Sequence, residues 1–217
     1  MKTCWSSLVL VVGGLLLVCC EPREYPAKVL PAFSAIQSNG YVTFNLVSGA
    51  ENRVISTSLA DAMYSVSNGV LVVNATGGKM TMSVNSLTRL NCNACSVEND
   101  APLVADTLSM VIHAGSVNLQ NITIHGYLGL TAQNTGTYKF SGTVPFFQVS
   151  NVNATSVKAF DLLADSVYVS SMNALPTEVN ASKVVNVFIM SSGDVYYKGN
   201  PDIIRLTNTG SGKLVKK

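Results

Sequence analysis

Cys92-Asn93-Ala94-Cys95 is the one close pair of thiols downstream of residue 20, and its spacing is that of a dithiol redox centre. Such a centre places its first thiol at a helix N-terminus, where the helix dipole lowers the thiol pKa. The neighbouring residues do not supply that helix. Ser86-Leu87-Thr88-Arg89-Leu90 reads as a strand, and Ser96 to Pro102 is a poor helix former. Cys92 and Cys95 are therefore read as a local disulfide, or as two half-buried thiols at a turn, in an oxidising compartment. A zinc site needs about four ligands. Neither histidine lies near the pair in sequence, so no metal is assigned.

His113 and His125 are the only histidines, each at the end of an apolar alternating stretch and beside Gly or Ala-Gly. Twelve residues apart, they could approach across a turn. A catalytic set also needs a nucleophile within hydrogen-bond reach of the base, and no serine sits in a Gly-x-Ser-x-Gly motif. Both are read as hydrogen-bonding residues at strand ends. Glu98, Asp100 and Asp106 form the densest acidic group, and carboxylates held at a defined separation can hydrolyse a glycosidic bond. Here they fall around Pro102 in an expected loop with no basic residue close by, which is the pattern of solvated loop charges. Calcium binding by the same group has no spacing motif behind it. Asp161 and Asp165 are the other acids that a carbohydrate-active enzyme would draw on. No catalytic residue, metal or cofactor is assigned.

Asn74, Asn121, Asn153 and Asn180 each begin an Asn-x-Ser/Thr sequence, the acceptor pattern for N-glycosylation. In a chain so rich in Asn, Ser and Thr such matches arise by chance. Only 12% of residues are charged and the formal net charge is +2. The basic residues are scattered singly except for Lys213, Lys216 and Lys217, so the basic patch of a nucleic-acid binder is missing. A hydrophobic share of 47% is ample for a core and excludes a disordered chain.

The N-terminal segment carries an address. Lys2 precedes an apolar run from Leu8 to Val18, too short for a membrane span of ~20 residues and suited to a secretory signal. Leu16-Leu17-Val18-Cys19-Cys20 resembles a bacterial lipobox, which makes Cys20 the lipidation candidate. The alternative is ordinary signal cleavage. The expected organisation is a signal at residues 1–20, an extended tether at 21–30 with Pro22 and Pro26 disfavouring helix before them, and one domain over 31–217. The expected location is the bacterial cell envelope, on the outer membrane or in the periplasm, with the membrane reached through the lipid.

Elements able to position these residues are almost all strands. Tyr41-Val42-Thr43-Phe44-Asn45-Leu46 places three apolar side chains on one face at a period of two. Met80 to Val84, Val117-Asn118-Leu119, Ile122-Thr123-Ile124, Val167-Tyr168-Val169 and Val195-Tyr196-Tyr197 do the same. Breaks fall at Ser38-Asn39-Gly40, Ser67-Asn68-Gly69, Thr76-Gly77-Gly78, Asn134-Thr135-Gly136 and Ser192-Gly193-Asp194, residue types that tolerate tight turns. Leu59 to Tyr64 and Val157 to Ala164 carry the only helical signal. Strands this short and numerous suggest a sandwich, a barrel or a solenoid.

Recurrence of a small residue before an apolar strand, at Gly115, Asp165, Gly193 and Gly212, fits rungs of about 20 residues with variable turns. About one residue in eleven is Asn, and amide side chains at turns can pair from rung to rung in a β-helix. The reading is an all-β, single-domain parallel β-helix with short irregular rungs, in which Val117, Leu119, Val167, Val169 and Val195 face inward.

Ser192-Gly193-Asp194-Val195-Tyr196-Tyr197-Lys198-Gly199-Asn200-Pro201, followed by Gly210-Ser211-Gly212-Lys213-Leu214, resembles the end of the head GIN domain, a bacterial exported family described as auto-transporter-adhesin-like. Pro31 to Ile36, Val42 to Leu46 with Gly49, and Gly69-Val70-Leu71-Val72 fall in the order seen at the start of that domain. The resemblance spans roughly residues 31 to 215 and departs from the family pattern between Leu87 and Pro145, where members are richer in Gly and Ser. It implies a parallel β-helix and transfers no catalytic residue. The expected function is a non-catalytic, adhesin-like or structural module of the cell envelope. Its partner would be an envelope protein or a glycan, or copies of itself, since edge strands at the ends of a β-helix invite pairing. The alternative is a carbohydrate-active β-helix acting on an envelope or extracellular polysaccharide.

Overall fold

The structure, a computed structural model, describes residues 24–217. The expected signal at residues 1–20, with Cys20, lies outside the described residues. Strands run in the order β1 (Lys28–Val29), β2 (Ala35–Ser48), β3 (Arg53–Thr57), β4 (Tyr64–Ser67), β5 (Val70–Val73), β6 (Lys79–Val84) and β7 (Arg89–Glu98). They continue through β8 (Leu103–Ile112), β9 (Gly115–Ala132), β10 (Thr135–Asn173), β11 (Thr177–Ile189), β12 (Val195–Lys198), β13 (Ile203–Asn208) and β14 (Leu214–Lys216). From β7 onward every pairing is parallel, and the chain coils as a β-solenoid of about six turns.

Rung length is uneven along this coil: the rung that brings Leu163 against Asn180 is shorter than the one that brings Gly115 against Gly136. The spacing varies because some corners hold an extra residue. Several corners do not break the strand at all, so β10 runs through 39 residues. One face stacks Val97 on Val117 and Val117 on Tyr138; higher up, Val157 meets Thr177, then Val195, then Leu214. Another face stacks Leu108 on Leu128 and Leu128 on Phe147.

Alternation sets which side chains enter the core. Val42, Phe44 and Leu46 are fully buried, and so, to within 1%, are Val117, Leu119, Val167, Val169 and Val195. Each such side chain contributes about 1.5–3 kcal/mol relative to exposure. The small residues at strand starts are fixed by backbone contact. Gly115 has φ 137°, and a side chain there would run into the Cys95 carbonyl.

The N-terminal end is built differently from the all-parallel expectation. Asn68 and Gly69, both at positive φ, close an antiparallel hairpin between β4 and β5. That geometry suits a two-residue hairpin turn. β3 pairs antiparallel with both β1 and β6, and Tyr25 bridges Thr57. These pieces lie over the first rung. Of the two stretches with helical signal, residues 61–63 form a single 3-10 turn, whereas Val157 to Ala164 is strand within β10 because its alternate residues fill the core. No helix among the described residues is long and apolar enough to cross a membrane.

Candidate functional site

Outward positions on the face that carries Val97 and Val117 form a polar ladder. Asn45 stands beside Glu98, Glu98 beside Asn118, and Asn118 beside Lys139. Further along the coil Lys158 stands beside Glu178, Glu178 beside Tyr196, and Asn180 beside Lys198. The strands are held about 4.8 Å apart by their hydrogen bonds, so residues distant in sequence become close neighbours across the rungs.

The middle of this ladder opens into a groove of about 370 Å³ lined by Asn118, Gln120, Lys139, Phe140, Ser141, Lys158, Phe160, Asp161, Glu178 and Lys198. Lys139, Lys158 and Lys198 are exposed, and Phe160, half-buried, lines the groove. The Lys198 ammonium lies 4.5 Å from the centre of the Phe160 ring. Asn180 donates to the Phe160 carbonyl at 2.9 Å, and the backbone N–H of Asn121 donates to Ser141 Oγ at 3.1 Å, which fix the floor and one wall. None of the three groove lysines has a carboxylate within 4.0 Å among the described residues. Elsewhere Lys28, Lys79 and Lys183 are paired with Asp61, Glu98 and Asp165 at 3.0, 2.7 and 2.9 Å.

The acidic residues singled out in the sequence separate into individual contacts. Glu98 ends β7 and pairs with Lys79, whose ammonium is held protonated by that hydrogen bond. Asp100 accepts from the Asn45 amide, and its own N–H donates to Asn45 Oδ1 at 3.1 Å. Asp106 lies within β8, not in a loop, and meets His125 Nδ1 at 3.2 Å. Basic partners at Glu98 and Asp106 correct the expectation of an isolated acidic loop; Lys79 and His125 arrive from other rungs. Asp165 accepts from Lys183 and Ser182, in that order of effect, which holds its carboxyl below the usual range. Asp161 alone of these acids reaches the groove.

The histidines do not meet. His113 Nδ1 bonds to Gln133 Oε1 at 2.9 Å, away from the His125 contact with Asp106. Among the described residues no three His, Cys, Asp or Glu are grouped to hold a metal ion. Cys92 and Cys95 are joined by a disulfide, with Cα atoms 5.9 Å apart and both side chains buried. Both are buried although three positions apart, because Asn93 and Ala94 turn a corner between them. Sequence reasoning missed Lys139, Lys158, Phe160, Glu178 and Lys198 as a group. Their recurrence once per rung was the available signal.

A family model described as "Putative auto-transporter adhesin, head GIN domain" matches residues 32–201. Among solved structures, a "putative adhesin" of Bacteroides fragilis superposes with a TM-score of 0.80 at 18% identity, covering 91% of this chain and 98% of that one. A "putative adhesin" of Parabacteroides distasonis gives 0.63 at 15% identity, over 91% and 98%. A protein of the same species described as "putative lipid binding protein" gives 0.59 at 17% identity, over 92% and 98%. At these identities the likeness concerns the fold. No curated protein matches the chain.

Proposed function

The chain belongs to the head GIN domain family, and from that premise we propose that it is a non-catalytic, adhesin-like binding module of the bacterial cell envelope. The observation that carries this reading is the groove on the outer ladder. It offers three ammonium groups without carboxylate partners, amide side chains and an aromatic ring, all on rigid parallel strands, and a solenoid supplies such a long face without a reactive centre. The protein would reach the membrane through an acyl group on Cys20. The several chains of a bacterial lipoprotein hold stably, where a single chain is marginal. Mass spectrometry of the mature N-terminus tests the anchor: an unmodified first residue removes it.

A second reading is favoured by one feature. Asp161 and Glu178 line the same groove, and a pair of carboxylates is what glycoside hydrolysis requires. The two readings part in one experiment. The purified domain is screened for binding to glycans and envelope components while the same samples are assayed for polysaccharide cleavage. Saturable binding with no new reducing ends is the expected result. Cleavage that disappears in Asp161→Asn or Glu178→Gln would replace the binding module with an enzyme.

A further inference from the structure

We infer that the groove takes an acidic polysaccharide, a chain whose sugar units carry carboxylate or phosphate groups. The inference rests on the binding-module reading above and names the chemistry of its ligand. Three features of the groove point the same way.

The first is uncompensated charge. Among the described residues Lys139, Lys158 and Lys198 have no carboxylate within 4.0 Å, which is true also of Arg89, Arg205, Lys213, Lys216 and Lys217; what sets the three apart is that they converge on one groove, although Asp161 and Glu178 line it too. Lys158 and Glu178 are direct register partners and still make no ion pair within 4.0 Å. The ammonium groups are therefore free to donate to an anion. Three ammonium groups against two carboxylates leave the groove a surplus of one positive charge on a face of low charge, which favours such a ligand nearby.

The second is the rest of the lining. Asn118 and Gln120 both donate and accept, Ser141 does the same, and Asp161 and Glu178 accept only. That set suits hydroxyl groups, which need donors and acceptors side by side. Phe160 adds an apolar surface, and Lys198 already lies across part of its ring, which keeps the cation at the groove floor.

The third is length. The groove crosses five successive turns, from the one holding Asn118 to the one holding Lys198. Four intervals between strands make about 19 Å. A site of that extent, open along its length, fits several units of a polymer and not a single small anion.

Affinity electrophoresis and calorimetry test this with four probes: polygalacturonate, a phosphate-bearing mannan, neutral dextran of matched length, and phosphatidylglycerol vesicles. Binding is expected to at least one of the two acidic polysaccharides, and the arm that binds identifies the anion. It should weaken steeply as salt shortens the screening length. Each of Lys139→Gln, Lys158→Gln and Lys198→Gln should weaken binding about two- to fivefold, the scale of one exposed charge contact, and the triple variant about ten- to a hundredfold. A control triple, Arg53→Gln/Lys79→Gln/Lys183→Gln, removes the same charge elsewhere and should change affinity less than twofold. All these side chains are at the surface, so an unchanged strand signal in circular dichroism is expected.

Equal loss in the control triple would reduce the effect to net charge and overturn the inference. So would tighter binding to vesicles than to either acidic polymer, or no binding to any acidic polymer. Tight binding to dextran that the groove triple abolishes would sink the anionic ligand while leaving the binding module in place.

Discussion

Asn153 stands directly above Asn134 at one corner of the coil: its Nδ2 donates to Asn134 Oδ1 at 3.3 Å, and both residues adopt left-handed φ, 70° and 59°. The ladder continues in both directions. Asn134 Nδ2 donates to the His113 carbonyl at 3.0 Å, and the Ala174 N–H donates to the Asn153 carbonyl at 2.8 Å. Asn suits this corner for two reasons: it tolerates positive φ better than other side chains, and its amide can both donate and accept.

Replacement separates those two contributions. Asn153→Gly keeps the backbone conformation and loses only a long, exposed amide contact, so a cost below about 1 kcal/mol is expected. Asn153→Val forces a β-branched residue to positive φ and should cost about 1–3 kcal/mol. Urea denaturation of both variants decides between them. Equal destabilisation by Gly and Val would mean that the amide contact, not the backbone, carries the corner.

The disulfide between Cys92 and Cys95 closes a very short loop, so its effect on the unfolded chain is limited. The loop-entropy relation gives about 2 kcal/mol as an upper value. The oxidised protein should resist alkylation at both positions, and Cys92→Ala/Cys95→Ala should unfold at lower denaturant by no more than that amount. Full alkylation without reductant would show two free thiols.

Tyr138 places a hydroxyl in the core with no hydrogen-bond partner among the described residues, and burial raises its pKa to about 12. Because the folded value lies above the unfolded value of about 10, its contribution to stability is complete below pH 10. It is lost as pH rises from there toward 12. Tyr138→Phe should therefore be as stable as the parent, or more so, at pH 9, and should lose less stability between pH 9 and 11. Tyr64, also raised to about 12 by burial first and then by Asp61, remains in both proteins, so some alkaline loss persists. A variant less stable by several kcal/mol at pH 9 would mean that the hydroxyl has a buried partner such as an ordered water.

The coil itself was legible in the sequence. Alternation at Val42-Thr43-Phe44-Asn45-Leu46 and Val167-Tyr168-Val169 sets the inward set, and the apolar members of both stretches are buried as expected. The Asn excess and the small residues before strands mark corners, as Gly115 and Asn134 show. Two things were not legible. Asn68-Gly69 reads as a break in any strand-rich chain, and only its hairpin geometry reveals an antiparallel cap at the N-terminal end. Lys139, Lys158, Glu178 and Lys198 do recur once per rung, but rung length is uneven, as the pairings of Leu163 with Asn180 and Gly115 with Gly136 show, so the recurrence becomes a shared face only once the rungs are aligned. The acids were grouped for the opposite reason: Glu98, Asp100 and Asp106 are close in sequence and read as one solvated loop, yet the coil sends each to a different neighbour.

The central claim is that the outer groove is the binding face, and amide hydrogen exchange with and without a saturating acidic polysaccharide tests it most directly. The account predicts slowed exchange concentrated in the stretches around residues 118–121, 139–142, 158–161, 178–180 and 196–198, with the antiparallel pieces β1, β3 and the β4–β5 hairpin unchanged. Slowed exchange confined to the cap, or to β13 and β14 at the other end, with the groove unaffected, would contradict it.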